Sequence, residues 1–225
     1  MNEAVQYSNG EYFTKLQNFL NDFPDIFTEE IFGRYQKDED AETMYRAALL
    51  GAIEFYDEEP WSEYVEKGVH IFQEKEFSEN FFVKNFKVGK DIKKGKMTLT
   101  QKNIKAFEGF AAGNDRNEMD GKIIPQTGFC RKGFSYPCIA EGRKIVAAAS
   151  PDEILKTKKA LEKAAGEVSV DGLGIGYFAV MAAAKPEVTA VKVKESDKNL
   201  IALCREYVFS AFSKDIISKI EIVAE

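Results

Sequence analysis

The sequence predicts an α/β protein in which a parallel sheet with crossover helices fills the last third of the chain, behind a β-hairpin region and a helical N-terminal region. Three observations predict it. From Val168 to Ala224, strand-like apolar segments alternate with helical ones, a pattern that builds a parallel sheet whose strands are joined by helices. Over the first 80 residues, aromatic and aliphatic residues recur at helical spacing. The charge is also split. Residues 1–80 carry 19 acidic and 6 basic side chains, whereas residues 81–225 carry 18 and 25, which sets a boundary near residue 80. The expected organisation is a helical domain over 1–83, a β-rich hairpin and connecting region over 84–150, and a ligand-binding sheet over 151–225.

In the first region Tyr12, Leu16, Phe19 and Leu20 share one helical face. So do Met44, Ala47, Ala48, Gly51 and Phe55, and again Trp61, Tyr64, Val65, Gly68 and Phe72. Turns are marked at Asp22-Phe23-Pro24-Asp25 and Glu58-Glu59-Pro60. These stripes read as core packing. The single histidine, His70, reads as a residue on a helix with no metal-ligand partner at helical spacing. Histidine-based nucleophilic catalysis and a histidine metal site are therefore set aside. Cys130 and Cys138 are too far apart for a zinc knuckle, and three cysteines make no disulfide framework, so all three are expected as free thiols.

Eight lysines against one acid, Asp91, lie between residues 84 and 105. Without arginine or stacked aromatics, a solvated hairpin is expected there rather than a nucleic-acid surface. The stretch 111–122 reads as a loop. Residues 122–130, 135–142 and 143–150 read as strands, with Glu141-Gly142 as the turn between the last two. The apolar run Ala47–Ile53 falls far short of the roughly 20 residues a membrane span needs. The first ten residues lack the pattern of a signal peptide. A cytoplasmic protein without a membrane partner is expected.

The last region opens with a helix signal in which Ser150 caps, Pro151 fits the first turn and Glu153 completes a Ser-x-x-Glu capping box. Then come a strand at 168–171, a helix at 177–184, a strand at 188–195, a helix at 198–212 and a strand at 220–224. In such a sheet ligands sit at the turn after the first strand, near a helix amino end. Gly172, Gly174 and Gly176 remove side chains at that turn, so backbone can lie against a ligand. Glu195 closes the next strand, 19 residues after Gly176, where a carboxylate can take the hydroxyls of a ribose. Together these describe a pocket for an adenosine-containing molecule. Read from Gly174, the string to Ala179 also satisfies the dinucleotide form G-x-G-x-x-A, which keeps NAD as an alternative.

The turn resembles the first motif of the class I S-adenosylmethionine-dependent methyltransferases, G-x-G-x-G followed by an acid closing the second strand. It looks most like an uncharacterised bacterial branch with a Gly-Leu-Gly-x-Gly-Tyr-Phe-Ala turn, matched by Gly172–Ala179, and the likeness extends to "FSYP" (134–137), "SPDEI" (150–154) and "KIEIV" (219–223). The resemblance implies a partial Rossmann-like, methyltransferase-type sheet that binds S-adenosylmethionine. The cofactor residues it implies are Asp171, Gly172, Gly174, Gly176, Tyr177 and Glu195, with no metal and no assignable catalytic base or methyl acceptor. Three departures accompany it. Val170 stands where most members carry an acid, with Asp171 one residue later; Lys192 and Lys194 interrupt a strand expected to be apolar; and the sequence stops after the third of seven strands. Two further readings follow: an inactive relative whose open sheet edge is covered by a second copy, and aminopropyl transfer.

Overall fold

The computed structural model describes residues 3–55 and 61–224, so the turn expected at Glu58-Glu59-Pro60 lies outside the described residues. The protein is a mixed α/β structure with ten α-helices and four sheets among the described residues. None of those helices is long and apolar enough to cross a membrane. The chain forms two compact units, Met1–Glu74 with Ile104–Phe134 and Lys75–Asn103 with Ser135–Glu225.

The first unit is built on aromatic packing. Its helix Glu3–Asp22 buries Tyr12, Leu16 and Phe19, and its helix Asp38–Ala52 buries Ala41, Tyr45, Leu49 and Leu50. The latter face differs from the one expected: Met44, Ala47 and Gly51 are exposed. Tyr45 decides the orientation, because its ring stacks on Phe129 at 3.9 Å and 6°, and a large aromatic gains more from burial than methionine or alanine. A second correction concerns residues 61–72. The helix there stops at Gly68, and Val69–Phe72 is a strand, parallel to Thr127–Cys130 and at the edge of its sheet. His70 is accordingly on a strand, with Nε2 3.0 Å from Gln126 Oε1. The Gln126 amide nitrogen donates to the Lys67 and Ile124 carbonyls, so its oxygen accepts from the imidazole N–H.

That edge strand does not go unpaired. Glu42 Oε2 accepts from the Ile71 amide at 2.8 Å, and Arg46 donates to the Val69 carbonyl at 3.0 Å. Two side chains one turn apart on a helix thus supply the bonds a neighbouring strand would make.

In the second unit, Ile92–Lys94, Met97–Ile104, Phe134–Glu141 and Lys144–Ala148 form a four-stranded sheet in that order. Gly142, with φ 61°, makes the turn between the last two. The helix Pro151–Lys163 follows, its Ser150 hydroxyl accepting from the Glu153 amide at 3.3 Å. Then the strands Gly166–Asp171, Val188–Glu195 and Ile220–Ala224 form a wholly parallel sheet in sequence order. The first and second are connected through the helix Tyr177–Ala183, the second and third through a helical segment beginning Lys198–Leu203.

Register explains the lysines in the middle strand. Val168, Val191 and Ile220 align across the sheet, as do Val170, Val193 and Ile222, and Val191 and Val193 are fully buried. One residue along, Ser169, Lys192 and Glu221 align and all are exposed, as are Asp171, Lys194 and Val223. One face of the sheet is therefore apolar and covered, and the other is polar and open, so Lys192 and Lys194 need no burial. The helix Tyr177–Ala183 packs on the middle strand and buries Ala179, Ala182 and Ala183, small residues that permit a close approach of helix to sheet.

The expected single helix over 198–212 is broken into an α-helix Lys198–Leu203, a wide π-turn Cys204–Val208 and a tight 3-10 turn Phe209–Ala211. In the wide turn the Phe209 amide bonds the Cys204 carbonyl. That spacing brings residues five apart towards one side, and both Cys204 and Phe209 meet the glycine turn described below.

The buried hydroxyls of Tyr12 and Tyr45 have no hydrogen-bond partner among the described residues. Burial drives both phenols well above their ordinary value of 10.0, with Tyr64 and Glu108 respectively adding to the shift. The folded-state pKa is the higher one, so this stability is intact below pH 10 and is lost as pH rises beyond it. The pair is expected to lower unfolding free energy by about 2 kcal/mol between pH 10 and 11, read by urea titration. A flat profile there would contradict the burial of both rings.

Candidate functional site

Where the first parallel strand ends, the chain must turn sharply to enter the helix Tyr177–Ala183. Gly172, Gly174 and Gly176 carry φ of 84°, 54° and 82°, the left-handed region that side chains resist. Their surroundings differ. A Cβ on Gly176 would come within 2.9 Å of the Phe209 ring, whereas at Gly172 and Gly174 it would project into open space. Gly176 is thus needed for packing and conformation, while Gly172 and Gly174 leave a cradle that a Cβ would fill.

The cradle is the floor of a cleft of about 360 Å³, within the size range of small-molecule sites, roughly 300–1,000 Å³. Its walls are Val170 and Asp171 at the strand end, Leu173, Ile175, Tyr177 and Phe178 around the turn, and Glu153, Thr157 and Ala148 opposite. Among the described residues two carboxylates line it and no lysine or arginine does. Asp171 is exposed. Glu153 is half-buried, and desolvation, aided by neighbouring Asp152, raises its pKa.

Tyr177 is buried, and its hydroxyl accepts from the Asn80 side-chain amide at 3.0 Å. The same Asn80 caps the helix Phe81–Asn85 by accepting from the Phe82 amide at 3.0 Å. A helix cap thereby fixes the tyrosine at the cleft wall. Burial raises the Tyr177 phenol, which stays protonated at neutral pH. Cys204 lies beneath the turn, Sγ 3.6 Å from the Gly174 carbonyl. Burial pushes its thiol up to about 12, which makes it packing rather than a nucleophile.

Glu195 does not line the cleft; it holds the turn from behind. One carboxylate oxygen accepts from the Leu173 amide at 2.9 Å, and the other from the Ser196 and Asp197 amides, each at 2.9 Å. An ionised carboxylate offers about four acceptor positions, so three are occupied and one is left. Backbone bonding adds a second tie, from the Gly172 amide to the Lys194 carbonyl at 2.9 Å.

Of the residues singled out in the sequence, Asp171, Gly172, Gly174 and Tyr177 line the cleft, Gly176 supports its floor, and Glu195 fixes its backbone. The sequence reading missed Glu153, Thr157 and Asn80. Glu153 was accounted for as a capping residue, but only half of that box forms. Ser150 receives the Glu153 amide, while the Glu153 carboxylate makes no return bond to Ser150. Among the described residues no three histidine, cysteine or acidic side chains gather as a metal site. Compared with known protein families, curated proteins and solved structures, the chain finds no match in any of the three.

If Glu195 staples the turn, Glu195→Ala leaves three amides without their acceptor. Stability should drop by about 1–3 kcal/mol, with faster hydrogen exchange at the Leu173 amide. Unchanged exchange at Leu173 would disprove the staple.

Proposed function

We propose that the cleft binds S-adenosylmethionine and that the second unit is a partial Rossmann-like, methyltransferase-type domain. One observation carries this reading: a glycine cradle at the carboxyl end of a parallel strand opens into a cleft lined by Glu153 and Asp171 and, among the described residues, by no basic side chain. Ligands of open parallel sheets sit at that end of the strands. A cleft with two acids and no base attracts a cation and repels a pyrophosphate, which favours a sulfonium ligand over NAD.

On this reading the backbone of Gly172–Gly174 lies against the ligand and Tyr177 forms a fixed wall, while Glu195, expected to take the ribose hydroxyls, instead fixes that backbone from behind. The bound molecule supplies an activated methyl group, so the protein's contribution is alignment and exclusion of water. The acceptor is left unassigned.

A second reading, a non-catalytic assembly module, draws on the sheet itself. Among the described residues Gly166–Asp171 and Ile220–Ala224 each have a strand on one side only, and such edges invite pairing with another chain. It predicts a dimer by light scattering and no ligand binding.

Calorimetric titration with S-adenosylmethionine, S-adenosylhomocysteine and NAD separates these readings. Binding of the first two but not of NAD is expected. Gly174→Ala adds left-handed strain of about 1–2 kcal/mol and places a methyl group at a lining position of the cleft; it should abolish the binding while circular dichroism still reports a folded protein. Binding of NAD alone, or no heat from any ligand with folded protein, would refute the proposal.

A further inference from the structure

Resting on the S-adenosylmethionine reading, a narrower question is which side chain recognises the amino-acid end of the ligand. The strand end offers Val170, which has no charge. Asp171 beside it is exposed and aligned with Lys194 on the open face of the sheet, so it is largely hydrated. Glu153 is different in three respects. It is half-buried in the cleft wall. Among the described residues its carboxylate makes no hydrogen bond or direct ion pair, and the return half of the capping box is not formed. Its neighbours are committed elsewhere: Lys156 pairs with Asp152 at 2.6 Å, the Thr157 hydroxyl donates to the Glu153 carbonyl at 2.6 Å, and Tyr177 bonds Asn80. A desolvated carboxylate without a partner is costly unless something cationic completes it.

We propose that Glu153 receives the α-ammonium group of the ligand, supplied from the first turn of the helix Pro151–Lys163 instead of from the strand end. Of the two cationic centres in S-adenosylmethionine, the sulfonium has no proton to donate, whereas the ammonium has three. Only the ammonium can make the charge-assisted hydrogen bond that a lone carboxylate calls for. Burial and Asp152 raise the proton affinity of Glu153 against the opposing pull of nearby Lys156, as fits a carboxylate that Lys156 does not neutralise by direct pairing.

The test compares two neutral-sulfur ligands, S-adenosylhomocysteine, which has the ammonium, and 5′-methylthioadenosine, which lacks the whole amino-acid end. Glu153→Gln keeps the size and removes the charge. It should weaken S-adenosylhomocysteine by roughly ten- to hundred-fold and leave 5′-methylthioadenosine within about twofold, with unfolding temperature unchanged. Equal loss for both ligands would show that Glu153 shapes the cleft instead, and no loss for either would show that it does not touch the ligand; both overturn the proposal. If the unaltered protein binds neither ligand, the cofactor reading fails with it, a result distinct from the other two.

Discussion

The site depends on how a strand ending in an exposed aspartate is made to reverse into a helix within five residues. Three left-handed glycines make the reversal sterically accessible, but they leave a backbone with much freedom to lose. The Glu195 carboxylate removes that freedom. By accepting from Leu173 on one oxygen and from Ser196 and Asp197 on the other, it joins the ends of two adjacent parallel strands through one rigid planar group. The wide turn at Cys204–Val208 completes the support, setting Cys204 under the Gly174 carbonyl and Phe209 against Gly176. The backbone of the glycine turn is therefore held from behind, which suits a surface that meets a ligand without rearrangement.

The cleft also inherits its electrostatics from the sheet. The helix Tyr177–Ala183 packs on the sheet, and Ser169, Lys192, Glu221, Asp171 and Lys194 stay exposed on the open face. The lysines sit on that open face, and none lines the cleft. What lines the cleft with charge is acidic, and on the proposed reading that sign distinguishes a sulfonium compound from a dinucleotide, which the glycine spacing fits equally.

Much of the second unit was legible in the sequence, since Val188–Glu195 and Ile220–Ala224 carry β-branched alternation and Ser150-Pro151 marks a helix start. The glycine positions were legible too, because few other residues tolerate such angles. The rest depended on distant contacts. Which face of Asp38–Ala52 turns inward is set by Tyr45 against Phe129, 84 positions along the chain, and periodicity alone could not choose it. Val69–Phe72 continues a helical stripe in sequence, yet pairing with Thr127–Cys130 makes it a strand. Glu153 fitted a local capping rule, and only the surrounding cleft reveals that its carboxylate is free of that duty. Glu195 was placed at the correct end of its strand, but the amides it serves lie on a turn whose path no spacing rule specifies.

The most direct measurement is a crystal structure of the protein grown with S-adenosylhomocysteine. The account predicts ligand density against the Gly172–Gly174 backbone, with the Glu195 to Leu173 bond intact. Density elsewhere on the chain, or an empty cleft at saturating ligand, would contradict it.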